Sequence, residues 1–263
     1  MTLEQQRVPV ADLMSVAGTR VVITGGLSGI GLAIAEGLAA HGARVAVIDL
    51  PGEQVDAAAD DPASVFATVV GADVSDETSV ESAFDACAAE LGGIDVVFAN
   101  AGVAGSVGPL TEWTLDQWRA VQGVNLDGAF LTARAALRRM DLEPGKKLIF
   151  TASVWGQRGS MSAPCPGYSA SKAGVIGLMK QLSADLSEHR VSVNAIAPSG
   201  FLTNIAGGSM HDPDAARPML QRQPRHTFVS ADAAVGTAVY LASAASDHVT
   251  GHVLALDGGY LGV

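Results

Sequence analysis

Tyr168 and Lys172 stand four residues apart in the stretch Gly167-Tyr168-Ser169-Ala170-Ser171-Lys172-Ala173-Gly174, so on a helix they share one face. A phenol beside an ammonium is a proton-transfer device. With a free pKa of about 10, the phenol is ionised to about one part in a thousand at neutral pH, and using it as a base takes about 4 kcal/mol of help. A neighbouring cation supplies part of that help. Taken alone, the same pair is also what a solvated helix face looks like, so its meaning rests on the rest of the chain.

A second group of residues fits the binding of a phosphorylated ligand. Arg20-Val21-Val22-Ile23-Thr24 reads as a buried parallel strand and runs into Gly25-Gly26-Leu27-Ser28-Gly29-Ile30-Gly31, where an Ala- and Leu-rich helical pattern begins. Glycines at such a turn let backbone N–H groups approach a pyrophosphate, and the helix N-terminus adds partial positive charge. The next apolar strand, Arg44-Val45-Ala46-Val47-Ile48, ends in Asp49, about 20 residues past Gly29. A carboxylate there accepts hydrogen bonds from an adenosine ribose and repels a 2′-phosphate, which favours NAD over NADP. Ser28 and Leu50 agree, since neither is the Arg or Lys that a phosphorylated ribose calls for.

Two further polar residues stand out. Ser153 follows the strand Leu148-Ile149-Phe150-Thr151-Ala152, a place from which a hydroxyl orients a substrate oxygen, or merely caps a strand end. Asn125 falls in the helical stretch from Thr114 to Met140, where an amide is a mediocre helix former and, if buried, needs partners.

The elements that must position these groups alternate. Strands are expected near residues 20 to 24, 44 to 49, 65 to 70, 94 to 99, 147 to 152, 191 to 197 and 252 to 256, with helical patterns between them. Parallel strands joined by right-handed helical crossovers make a doubly wound α/β sheet whose ligand crevice lies at the strand carboxyl ends, where Gly29, Asp49, Asn100 and Ser153 all fall. The irregular stretch from 201 to 230, with Gly207-Gly208, Pro213, Pro218, Pro224, Met210, Met219 and Leu220, reads as a lid over the substrate or an ordered surface insertion.

Together these residues resemble the short-chain dehydrogenase/reductase family, from about residue 18 to the C-terminus. The family's glycine motif T-G-x-x-x-G-x-G is matched by Thr24, Gly25, Gly29 and Gly31; Asp73-Val74 is similar to its adenine-contacting pair, and Asn100-Ala101-Gly102 to the turn bracing its central sheet. Asn125, Ser153, Tyr168 and Lys172 match its catalytic four, and Asp257-Gly258-Gly259 a C-terminal signature. The resemblance implies a three-layer Rossmann-type fold of about seven parallel strands with helices on both faces, as one catalytic domain over 18–263 behind an N-terminal extension of residues 1–17. It implies an NAD(H)-dependent oxidoreductase interconverting a secondary alcohol and a ketone, with Tyr168 as general base and acid. Lys172 would assist that phenol and hydrogen-bond the nicotinamide ribose, while Asn125 would hold a water linking Lys172 to solvent. Gly25, Leu27 to Gly31, Asp49, Leu50, Asp73, Val74, Asn100 to Gly102, Pro198, Phe201 and Thr203 would hold the coenzyme. One departure is visible: Ser199 stands after Pro198 where the family usually has Gly, and Gly200 follows. The resemblance also implies a homotetramer, or a homodimer, built on the long helices around Asn125 and Tyr168 and on the apolar segment from Gly251 to Val263.

Substrate recognition is expected from Val154, Trp155, Met161, Cys165, Ala104 and Phe201, which suit an alcohol or ketone with an apolar body. Arg217, Arg222, Arg225 and His226 either grip an anionic tail or are solvated lid charges. Composition narrows the rest. A length of 263 residues suits one large α/β domain, and 30 glycines suit many tight strand-to-helix turns. A net charge of −11 without a Lys/Arg run argues against nucleic acid. No apolar run of membrane-spanning length occurs, the first residues do not form a secretory signal, and two separated cysteines suit the cytoplasm. The scattered histidines give no metal-ligand spacing, so no metal is expected. Three other readings fit less of the chain. A catalytically silent dinucleotide-binding regulator leaves four filled catalytic positions unused, a Ser/Lys hydrolase on Ser153 and Lys172 leaves Asp49 and the glycine turn unexplained, and a methyltransferase gives no reason for Tyr168 with Lys172.

Overall fold

The strands are near-continuous runs of Val, Ile, Leu, Phe and Ala, as expected where helices cover both faces of a parallel sheet. The structure, a computed structural model, describes residues 9–160, 162–205, 207–208 and 211–263, apart from the side chain of Ala11. Met161, Met210 and residues 1–8 of the N-terminal extension lie outside the described residues. The strands are β1 (Arg20–Thr24), β2 (Arg44–Asp49), β3 (Thr68–Gly71), β4 (Val96–Ala99), β5 (Lys147–Thr151), β6 (Ser192–Pro198) and β7 (Val253–Leu256). All pair in parallel, in the order β3-β2-β1-β4-β5-β6-β7, with Val22 opposite both Ala46 and Val97. The chain runs outward from β1 to β3 and then returns to the other side of β1, so the crevice opens at the carboxyl ends of β1 and β4.

Alternate side chains of each strand feed two separate cores. Val22, Ala46, Ile48, Val97, Leu148, Phe150 and Val193 face a layer with α3 (Glu77–Leu91), α5 (Gly128–Leu137) and α6 (Pro166–Asp185). Val21, Ile23, Val45, Val47, Phe98 and Ile149 face the opposite layer with α1 (Gly29–Ala40) and α8 (Val235–Ala242). Each such buried side chain is worth about 1.5–3 kcal/mol, so a one-residue slip in any strand would exchange the two cores. At the amino ends of the strands, Asp95 ties β1 to β5 by ion pairs to Arg20 (2.7 Å) and Lys146 (2.6 Å).

The remaining helices are α2 (Glu53–Asp60), α4 (Leu115–Gln122) and α7 (Pro213–Leu220). Thr114 and Gln117 form a reciprocal capping box that starts α4. The stretch expected as one helix from Thr114 is α4 and α5 joined through a wide π-helical turn, Gly123–Asp127, which contains Asn125. β3 begins later than residue 65: it is the edge strand, and Val65 is 61% exposed ahead of the pairing that starts at Thr68. From residue 9 onward the N-terminal extension lies on the far end of the domain, where Leu13 O accepts from Ala245 N (2.9 Å). The irregular stretch from 201 to 230 carries α7 and folds back on itself through a bridge between Phe201 and Val229. Among the described residues no helix is long and apolar enough to cross a membrane.

Candidate active site

The glycine turn between β1 and α1 is built for close approach. Gly25 and Gly29 have left-handed φ values of 65° and 51°, and a Cβ on Gly31 would lie 2.0 Å from Gly25 O and 2.4 Å from Asn100 Nδ2. Beside the turn, Asp49 ends β2 with both carboxylate oxygens fixed: Oδ2 accepts from Leu27 N and Oδ1 from Leu50 N, each at 2.8 Å. Asn100 braces the sheet from β4. Its Nδ2 donates to Thr24 O (3.1 Å) and Gly25 O (3.0 Å), its Oδ1 accepts from Thr151 Oγ1 (3.0 Å), and Thr24 Oγ1 accepts from the N–H groups of Asn100 and Ala101.

On the other side of the crevice, Pro166 at the first position of α6 starts the helix that carries Tyr168 and Lys172. Lys172 is buried, and its ammonium donates to Thr151 O (2.7 Å) and lies 5.7 Å from the centre of the Tyr168 ring. Ser153 follows β5 and accepts from Trp155 N (3.2 Å); its hydroxyl also interacts with the Tyr168 phenol. The Trp155 ring meets the Tyr168 ring edge-on at 5.9 Å. Asn125, 1% exposed, is fully engaged: Oδ1 accepts from Val103 N (2.8 Å), and Nδ2 donates to Val103 O and Ser171 Oγ, both at 3.0 Å. Ser171 Oγ donates onward to Tyr168 O (2.8 Å). A Cβ on Gly102 would lie 3.2 Å from both Asn125 Oδ1 and Lys172 Nζ, so the turn after β4 seats directly against this frame.

The electrostatics differ from the simple picture of a lysine lowering a tyrosine. Burial pushes the Tyr168 phenol up to about 12, against an opposing pull from Ser153, and pushes the Lys172 ammonium down to about 8. Desolvation is the leading cause at both groups; the Lys172 side chain is fully buried and the Tyr168 side chain half-buried, with the turn after Ser153 packed on α6. A Cβ on Gly156 would lie 2.6 Å from the Lys172 carbonyl carbon.

Residues 25–261 match the family model described as "Enoyl-(Acyl carrier protein) reductase". The chain is similar to (+)-borneol dehydrogenase 1 of Salvia officinalis, 35% identical over 92% of this chain and 94% of that one. It is also similar to cis-4-hydroxycyclohexanecarboxylate dehydrogenase of Sinomonas cyclohexanicum, 36% identical over 92% and 96%. The chain belongs to the short-chain dehydrogenase/reductase family. A crystal structure of a gluconate 5-dehydrogenase from Burkholderia cenocepacia J2315, in complex with NADP and tartrate, superposes with a TM-score of 0.88 at 32% identity, covering 97% of this chain and all of that one. This short-chain dehydrogenase/reductase is thus an oxidoreductase of a family that binds nicotinamide dinucleotides.

The crevice gathers most of the residues singled out from the sequence. Ser28 is the exposed N-cap of α1, Ile30 lies in its first turn, and Leu50 is exposed beyond β2. Thr203 closes on the turn, with its Cβ 3.5 Å from a Cβ built on Gly29. Asp73 Oδ1 accepts from Ser75 N (2.9 Å) and Ser75 Oγ (2.7 Å). The Val74 side chain, by contrast, packs into the core against Gly128. Of the expected substrate wall, Val154, Cys165 and Phe201 are buried, and Phe201 packs in the same core as Ile196 and Ala234, so only Trp155 of these four stands half-buried against the phenol. Spacing between Ser153 and Tyr168 does not say which side chains turn inward. Burial also raises the Cys165 thiol, which fits packing. Arg217 is exposed and pairs with Asp214 on α7, the arrangement of a solvated surface charge. Sequence reasoning misses Thr151 and Val103, because their bonds to Lys172 and Asn125 run through main-chain groups that every residue has. Among the described residues, no three His, Cys, Asp or Glu side chains gather as a metal site.

Proposed function

We propose that the chain is an NAD(H)-dependent alcohol dehydrogenase and ketone reductase acting on a secondary alcohol or its ketone. The observation that carries this reading is the Tyr168 phenol with the Lys172 ammonium, fixed by Thr151 O, 5.7 Å from the centre of its ring and with Ser153 close enough to pull its pKa down. The names of the relatives support it, since they include a borneol dehydrogenase, a hydroxycyclohexanecarboxylate dehydrogenase, a D-threitol dehydrogenase and a levodione reductase. The coenzyme fits the crevice, because the glycine turn leaves no room for a Cβ at Gly31 and presents N–H groups at a helix start.

Asp49 favours NAD over NADP. Its carboxylate is held at the end of β2 by two backbone N–H groups, Leu50 beside it is exposed, and the first turn of α2 adds Glu53 and Asp56 instead of a cation. Gly29, Ile30 and Gly31 would take the pyrophosphate, Asp73 and the Val74 main chain the adenine, Lys172 the nicotinamide ribose, and Pro198, Phe201 and Thr203 the nicotinamide end. When bound, the coenzyme supplies the hydride acceptor or donor and, in its oxidised form, a positive charge.

The protein's part is to orient the substrate oxygen and move one proton. Ser153 donates to that oxygen, and Tyr168 takes the hydroxyl proton in oxidation or returns it in reduction. At about 12 the phenol is protonated at neutral pH and so carries the proton that reduction needs. To serve as a base at pH 7 it needs about 7 kcal/mol of positive charge, more than one ammonium supplies across a ring, so oxidation requires further positive charge beside it. Proton removal is thereby confined to the loaded site. We further propose that the enzyme works as a homotetramer in the cytoplasm, with its apolar C-terminal segment against a partner.

The test follows NADH absorbance at 340 nm with NAD⁺ and panels of secondary alcohols, polyols, hydroxy acids and steroids. Turnover with at least one class is expected, and Tyr168→Phe is expected to abolish it while NADH still binds. Undiminished turnover by Tyr168→Phe would remove the mechanism, and tight NADH binding without turnover on any class would leave a silent binding protein.

A further inference from the structure

Gln223, just past α7, is 2% exposed, whereas its neighbours Gln221, Arg222, Pro224 and Arg225 are exposed. Its amide occupies a slot between two turns. A Cβ on Gly200 or on Gly258 would come within 2.6 Å of Gln223 Nε2, and both glycines hold left-handed backbone, at φ 73° and 59°. Neither position therefore accepts a side chain while Gln223 is in place.

Within the slot the amide makes one directed bond, Nε2 donating to Asp257 O at 2.7 Å, while its buried Oε1 has no hydrogen-bond partner among the described residues. A methionine of similar size would fill the same space without burying a half-satisfied amide. The bond to the C-terminal turn is what distinguishes glutamine from such a filler. That turn is rigid at the receiving end, because the Asp257 carboxylate accepts from Gly259 N (2.9 Å) and Leu261 N (2.8 Å). Adjacent main-chain bonds continue the tie: Arg225 N donates to Gly258 O (3.2 Å), Val229 N to Gly200 O (2.9 Å) and Leu202 N to Val229 O (2.9 Å). The segment 198–203 is thus gripped between the returning lid and the C-terminal turn, and it ends in Thr203, which lies over Gly29 of the glycine turn.

We infer that Gln223 is a positioning residue for the coenzyme: its clasp on Asp257 O sets the segment 198–203 against the glycine turn without touching the ligand itself. The inference rests on the dinucleotide reading above and gives the family's Asp257-Gly258-Gly259 signature a task in this chain, as the fixed wall that receives the lid's amide. It also accounts for Gly200, which follows the unusual Ser199 and leaves the space that Gln223 fills.

The test compares the full-length wild type with Gln223→Met, which keeps the packing and loses the donor, and Gln223→Ala, which loses both. NADH binding is read by fluorescence titration, and kcat and KM for NAD⁺ are read with a saturating alcohol. Gln223→Met is expected to raise the NADH Kd and the KM for NAD⁺ about tenfold, as loss of one directed hydrogen bond would, with kcat at saturation within about twofold of wild type. Gln223→Ala is expected to raise both further. If the wild type binds NADH and Gln223→Met binds it equally well, the clasp is overturned while the coenzyme reading stands. A fall in kcat or thermal midpoint with unchanged KM would show a merely structural glutamine and overturn it too. A wild type that binds neither NADH nor NADPH would remove the coenzyme reading and this inference with it.

Discussion

Replacing Lys172 by Met should cost activity and yet relieve the fold of a burden, and the two effects separate by pH. Lys172 is 2% exposed, and burial lowers its pKa from the ordinary 10.5 to about 8. Because the folded value is the lower one, the stabilising contribution of this group is present above 10.5 and is lost as pH falls through about 8. Holding the charge at neutral pH therefore costs about 3 kcal/mol relative to the unfolded chain. Raising pH from 7 to 10 should stabilise the wild type over Lys172→Met by about 2.5 kcal/mol, as the wild type sheds the buried charge that the variant never had. Tyr168 does not obscure this window. Its folded value is raised to about 12, so its contribution is intact below 10 and fades only as pH rises beyond that. The variant also leaves Thr151 O without its partner, at a cost of about 1–3 kcal/mol, but that offset does not vary with pH. Urea unfolding followed by circular dichroism at pH 7, 8, 9 and 10 reads the gap directly. A gap that stays constant across that range would refute the account of a lysine kept charged against its own desolvation. In the same preparations turnover is expected to fall by about 10²–10⁴, the size of a lost proton-transfer assistant. A lysine retained at such expense would then be a stability-for-function exchange at a single position.

Other outcomes follow from the same geometry. Asp49→Ser removes the charge anchored by Leu27 N and Leu50 N, and the ratio of kcat/KM for NADP⁺ to that for NAD⁺ should rise at least about tenfold; an unchanged ratio would place coenzyme choice elsewhere. Asn125→Ala strands the Val103 N–H and C=O and the Ser171 hydroxyl, so urea unfolding should show a loss of about 3 kcal/mol together with reduced turnover, and a loss under about 1 kcal/mol would contradict the bonding described here. Sedimentation at micromolar concentration should show a tetramer, since Leu110, Leu115 and Phe130 around α4 and α5 are exposed and the C-terminal segment is apolar; monomer alone would overturn that proposal.

What the sequence made legible and what it hid divide along a physical line. The seven strands and their alternation with helices were readable because burial on both faces forces apolar runs such as Val45 to Ile48, and because the glycines at 25, 29 and 31 answer to local backbone demands. Pairing of an edge strand is not a local demand, which is why β3 starts at Thr68 and not in the equally apolar residues before it. The π-helical turn at Asn125 was hidden for a related reason: the widening is set by bonds to Val103 and Ser171, which are distant in the sequence. Spacing brought Tyr168 and Lys172 to one face, but spacing carries no information on dielectric, and the depth of the site reverses the expected sign for the phenol. Depth also gives the reversal a use. On the mechanism proposed above, a phenol raised by its surroundings acts as a base only once further positive charge stands beside it, which would tie proton removal to the bound oxidised coenzyme.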